Sequence, residues 1–135
     1  MIIGGGPGGY EAALVAAQLG AKVTVVDRDG LGGACVLTDC VPSKTLIATS
    51  GMMAALDGAA ALGIRLDGGP GSAGAALATV DAPRLYARVR ALAWAQSADV
   101  TARLAAEGIE VVTGTGRLAG PVSYTHLTLP TTPYV

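Results

Sequence analysis

The sequence predicts an α/β fold on a three-strand parallel sheet, from three observations. An apolar start, Met1 to Ile3, runs into the turn Gly4-Gly5-Gly6-Pro7-Gly8-Gly9. An alanine-rich helical stretch, Tyr10 to Leu19, stops at Gly20 as its C-cap, and a buried-type strand, Lys22 to Val26, ends on Asp27. After long helical segments comes another β-prone run, Ile109 to Thr113. The first stretch is a complete β-turn-α-β unit, and right-handed crossovers place the strands in the order third, second, first.

The turn satisfies G-x-G-x-x-G through Gly4, Gly6 and Gly9. A glycine hexapeptide alone could be a flexible loop beside an ordinary surface aspartate; its place between strand and helix gives it meaning. The first glycine permits the tight turn, the second lets the backbone approach a pyrophosphate, and the third packs helix on strand, with the helix N-terminus facing the phosphates. Asp27 falls where an acid binds a ribose 2′-hydroxyl, so the expected ligand is FAD or NAD rather than NADP. This is the pattern of a Rossmann-like domain.

Size and composition set the outer bounds. A chain of 135 residues, 51% hydrophobic, holds at most one modest domain. A net charge of −1 gives no footprint for nucleic acid or an anionic membrane. The mean hydropathy of +0.51 comes from alanine and glycine, and polar residues interrupt every apolar run before the roughly 18 residues a membrane span needs. The N-terminus shows no basic region or signal-peptide core, and no membrane association is expected.

The chain has two cysteines, in the segment Gly32-Gly33-Ala34-Cys35-Val36-Leu37-Thr38-Asp39-Cys40-Val41-Pro42-Ser43-Lys44. A structural disulfide there would close a very short loop and stabilise little. Zinc needs about four Cys or His ligands, and the one histidine, His126, lies in the atypical tail, so no metal site is expected. Ordinary buried thiols remain an alternative. Redox chemistry is favoured because a helix starting near Val41, with Pro42 in its first turn, would lower the Cys40 thiol pKa. Exchange-ready cysteines without a disulfide framework point to the cytoplasm.

Thr45 to Leu62 continues as a helix whose Leu46, Ile47, Met52, Met53 and Leu56 are expected to pack under the sheet. Asp67 to Thr79 reads as a low-complexity surface loop. Asp81 is the expected N-cap of a helix with Pro83 in its first turn. Its Leu85, Val89, Leu92, Ala93, Gln96, Val100 and Leu104 keep helical spacing to a stop at Gly108. Trp94 is expected in the core, and Arg84, Arg88, Arg90 and Arg103 on a solvated face. The third strand closes on Gly114-Thr115-Gly116.

These motifs, I-I-G-G-G-P-G-G-Y-E-A-A, V-V-D and G-G-A-C-V-L-T-D-C-V-P-S-K, resemble the N-terminal FAD domain of the pyridine nucleotide-disulphide oxidoreductases, over Met1 to Pro121. Within that family the likeness is to dihydrolipoamide dehydrogenases and NAD(P)H-quinone dehydrogenases. It implies that Gly4, Gly6, Pro7, Gly8 and Gly9 form the FAD pyrophosphate turn and that Asp27 holds the adenosine ribose. It further implies that Cys35 is the interchange thiol, that Cys40 lies beside the flavin, and that Gly33, Ala34, Lys44 and Gly116 contact the cofactor. NAD(P)H would be the co-substrate, a small disulphide such as lipoamide or a quinone the acceptor, and the parent protein a homodimer. The family usually has L-N-V-G between the cysteines; here Val36-Leu37-Thr38-Asp39 adds a negative charge that opposes thiolate formation.

From Val122 the composition changes, bringing His126 and two of the four tyrosines, Tyr124 and Tyr134. Val122 to Thr131 resembles a translated sequencing adapter, so residues 122–135 are expected to be a read-through tail and residues 1–121 a truncated FAD/NAD(P)-binding domain. The family's nicotinamide and interface domains lie downstream of such a segment. The chain itself would then be at most a dinucleotide-binding fragment without catalysis.

Overall fold

The computed structural model describes residues 1–64 and 78–117. Strand β1 is Ile2–Ile3, and the chain leaves it through Gly4, whose φ of +97° lies in the left-handed region that glycine alone enters cheaply. Gly6 caps helix α1, Pro7–Gln18, with Pro7 in the first turn where its missing N–H costs nothing. The helix therefore starts three residues before the expected Tyr10 and includes Gly8 and Gly9. Gly9 faces the Gly4 carbonyl so closely that a Cβ would overlap it, and the same Cβ would lie 3.6 Å from Ile2. That bare surface seats α1 on β1. Leu19 is the C-cap, and Gly20, with φ +85°, stands one residue further on than expected.

Strand β2, Thr24–Asp27, lies at the centre of the sheet. It pairs in parallel with β1, Ile2 opposite Val25, and with β3, Glu110–Thr113, Val25 opposite Val111 and Asp27 opposite Thr113. The order third, second, first is the one the crossover rule requires. Between β2 and β3 run α2, Gly33–Leu37, then α3, Cys40–Asp57, a 3-10 turn at Ala59–Leu62, and α4, Ala82–Ala106. Asp81 caps α4 by accepting from the Arg84 amide at 3.0 Å, and Gly108 follows its end with φ +70°, both as expected.

The core is Ala13 and Leu14 of α1, Val23 and Val25 at β2, Leu31, Leu104 of α4, and Ile109. Val25 and Leu104 are fully buried and join sheet to helix. Along α4 the buried positions are Val89, Ala93, Ser97 and Leu104, so the inward stripe takes Ser97 rather than the expected Gln96.

Two expectations are corrected. Helix α3 contributes no buried residue, and its main partners are α2, α4 and the 3-10 turn rather than the sheet. Ile47 and Met52 are 67% and 64% exposed. Trp94 is not in the core but 58% exposed, because Ala93 and Ser97 hold the inward positions on either side of it. The arginines Arg84, Arg88, Arg90 and Arg103 are exposed, as expected of a solvated face. The expected loop lies outside the described residues except for Ala78 and Thr79, and the tail lies wholly outside them.

Candidate functional site

The strands run parallel, so the turns that leave their carboxyl ends gather at one edge of the sheet, the usual ligand side of such folds. Gly4 to Gly9 come from the end of β1, Asp27 from β2, and Gly114 to Gly116 from β3. Gly116 lies over β1: a Cβ there would be 2.9 Å from Ile3. A Cβ at Gly6 or Gly8 would meet nothing within 4 Å, so that face of the turn is open. Helix α1 has no side-chain cap, leaving first-turn amides to donate to an anion. The turn thus fits a pyrophosphate.

Asp27 does more than the sequence indicates. Its Oδ2 accepts from the Gly5 amide at 2.7 Å, and its Oδ1 accepts from the amides of Asp29 and Gly30, both at 2.9 Å. A carboxylate offers about four acceptor positions, so room for a ribose hydroxyl remains on Oδ2. Gly5, an unspecified position of the motif, is buried; its amide is held by Asp27 and its carbonyl by Gly32 N–H at 2.8 Å. Sequence reasoning passed over Gly5 and Gly32 because nothing in the spacing marks a tertiary hydrogen bond. A cavity of about 630 Å³ borders Asp27, lined also by Arg28, Trp94, Ser97, Thr101 and Thr113. The Arg28–Asp29 pair beside it, at 2.9 Å, holds Asp29 below its ordinary range, first by hydrogen bonding.

The Gly32–Gly5 bond sets the cysteine segment against the glycine turn. Gly33 approaches Gly6 so closely that a Cβ would lie 2.9 Å from its Cα. Cys35, half-buried, lies in α2, a helix the sequence did not announce. The chain then turns back on one acceptor: the Ala34 carbonyl accepts from the Thr38 and Asp39 amides at 3.0 and 2.8 Å and from Thr38 Oγ1 at 3.2 Å. Cys40, exposed, opens α3 with Pro42 in the first turn, one residue earlier than expected. Lys44 follows one turn on and is exposed.

Both cysteines are free thiols. Hydrogen bonding to Cys40, then burial, then the charge of Cys40 hold the Cys35 thiol above its ordinary value. Lys44 pulls the other way, and Asp39 adds to the rise. The structure therefore brings the predicted residues together in two groups: the glycine turn with Asp27, Gly33 and Gly116, and the thiols with Ala34 and Lys44. Among the described residues, no group of three His, Cys, Asp or Glu side chains is placed to hold a metal ion, and no helix is long and apolar enough to cross a membrane.

The pyridine nucleotide-disulphide oxidoreductase family matches residues 1–127. An NAD(P)H dehydrogenase (quinone) of Mycobacterium tuberculosis is 50% identical over 121 residues, covering 87% of this chain and 23% of that protein. A dihydrolipoyl dehydrogenase of Zymomonas mobilis is 34% identical over 120 residues, covering 89% of this chain and 24% of that protein. The crystal structure of LpdA from Mycobacterium tuberculosis superposes with a TM-score of 0.71 at 48% identity, over 84% of this chain and 23% of that one. The chain thus spans about a quarter of the length of these relatives.

Proposed function

This chain belongs to the pyridine nucleotide-disulphide oxidoreductase family, and we propose from that premise that it is the FAD-binding, cysteine-bearing segment of an NAD(P)H-dependent flavoprotein. Membership implies flavin and NAD(P)H use by the family; FAD, the acceptor and the individual residue roles are our reading. The observation that carries it is the seating of the cysteine segment on the glycine turn through Gly32–Gly5 and Gly33–Gly6. A dinucleotide laid on the turn would extend from there toward the thiols.

In this reading Gly6 and Gly8 let a pyrophosphate approach, and the first-turn amides of α1 donate to it. Asp27 accepts a ribose hydroxyl on its remaining lone pair while keeping the turn in place. Bound FAD would supply the two-electron carrier between NAD(P)H and an acceptor. Cys40 stands on the flavin side with Lys44, and Cys35 meets a small disulphide such as lipoamide. A second reading, transfer to a quinone without the thiols, is favoured by Asp39, whose charge opposes thiolate formation. The parent is proposed as a cytoplasmic homodimer, and this chain by itself as a binding segment without turnover.

The test is a titration of the chain with FAD, ADP-ribose and its 2′-phosphate, read by flavin fluorescence and calorimetry. Weak binding is expected, FAD ahead of ADP-ribose and the 2′-phosphate last, with loss of all three on Gly8→Val. Tighter binding of the 2′-phosphate, or binding indifferent to Gly8→Val, would overturn it.

A further inference from the structure

Asp39 stands where the chain turns from α2 into α3, between the two cysteines. Its amide donates to the Ala34 carbonyl at 2.8 Å, which sets it against the residue preceding Cys35 as well as directly before Cys40. It occupies the N-cap position of α3, where an aspartate ordinarily accepts from a helix amide. Its carboxylate makes no such bond. The side chain is exposed, with a long 3.4 Å contact to Thr38 Oγ1. A free negative charge is thus held beside a pair of thiols, at the place where the resembled segment carries glycine.

We propose that Asp39 is a positioning residue that acts through Cys35: its carboxylate disfavours negative charge on that sulfur and slows thiol–disulfide exchange, making the pair a poor exit for electrons. The proposal rests on the reading of Cys35 and Cys40 as an exchange pair. In the step concerned, the Cys35 thiol gives its proton to solvent, and its sulfur attacks one sulfur of a disulfide R–S–S–R. A Cys35–S–R bond forms and one thiolate leaves. Cys40, losing its own proton, then attacks Cys35 Sγ, closing the Cys35–Cys40 bond and releasing the second thiolate. The pair is oxidised by two electrons and the disulfide is reduced by two. Only thiolates attack, so charge near the attacking sulfur sets the rate. The groups acting on Cys35 among the described residues are Cys40, Lys44 and Asp39, all from α3 and its cap; α4, which also packs on α2, contributes none.

The experiment is stopped-flow reaction of the reduced 135-residue chain with dithiodipyridine, an uncharged disulfide, as a function of pH. In a Cys40→Ser background, where Cys35 is the one thiol left, Asp39→Asn is expected to speed thiopyridone release about threefold near neutral pH and to move the pH–rate midpoint downward. Asp39→Glu should stay near the unsubstituted rate, and Lys44→Gln should slow it. The same pair of rates is taken in urea, an uncharged denaturant that removes the fold without screening charge, so that only sequence adjacency acts. An unchanged rate in Asp39→Asn, or an acceleration as large in denaturant as without it, would overturn the role of Asp39 while leaving the exchange pair standing. Formation of a mixed disulfide on each cysteine, with no Cys35–Cys40 bond, overturns the exchange pair and this proposal with it.

Discussion

Asp27 holds three backbone amides from two stretches of chain with one carboxylate, and its substitution separates a holding role from a recognising one. Asp27→Ala leaves the Gly5, Asp29 and Gly30 amides without their acceptor, two of these bonds being part-buried. It is expected to cost about 1–3 kcal/mol in urea unfolding followed by circular dichroism. A variant as stable as the parent would show that the bonds hold nothing. The Cys35 thiol gives a second prediction at this scale. Its value is raised in the fold, so in the unfolded chain, where the thiol has its ordinary value, it loses its proton first. The folded state then binds more protons between the two values. Its contribution is full below the unfolded value and is lost as pH rises through the folded one. Under reducing conditions, stability should fall on going from neutral to alkaline pH, and Cys35→Ser should shrink that fall; an equal fall in both would refute it.

Among the elements, β2 and α4 carry the fold and α3 rests on it. Val25 and Leu104 are the largest fully buried side chains, and they lie on these two elements. Leu104→Ala is expected to destabilise by about 2–5 kcal/mol, through lost burial and the cavity left behind. Asp81→Ala, which removes the cap bond to Arg84 N, should cost about 1 kcal/mol. Met52→Ala, on a helix without buried residues, should change stability by less than about 0.5 kcal/mol. The same urea titration ranks all three. If Met52→Ala proved as costly as Leu104→Ala, α3 would be more firmly packed than its exposure indicates.

At the scale of the whole molecule, a strand edge and several large apolar side chains lie uncovered among the described residues. Among the described residues β1 is hydrogen-bonded to a strand on one side only, with β2 in the middle of the sheet. Ile47, Met52, Leu62, Ile64, Val80, Tyr86 and Trp94 are all exposed. Open strand edges and apolar surface recruit other chains. The chain is expected to self-associate or to populate partly unfolded forms, with no NAD(P)H oxidase activity. Gel filtration with an absorbance assay decides: a monodisperse monomer holding FAD stoichiometrically would show that the uncovered surface is tolerated.

By itself the sequence determined what is encoded in neighbouring residues. The glycine turn, the Asp81 cap and the Gly108 stop are set by short-range sterics and hydrogen bonding, and the parallel sheet and its order follow from chain direction and crossover handedness. The pairing of Cys35 and Cys40 in one short segment was equally legible. Only the tertiary structure decided which faces are covered and what each polar group meets. Helical spacing shows which residues share a face but not whether another element lies against it, so Met52 and Trp94 read as core and stand in solvent. Asp27 read only as a ribose-binding acid because its Gly5 partner, 22 residues away, is fixed by folding the glycine turn onto the end of β2, whereas its bonds to the Asp29 and Gly30 amides are local. The burial of Gly5 and the Gly32–Gly5 bond that seats the thiols on the turn arise from that same closure, between residues far apart in the chain.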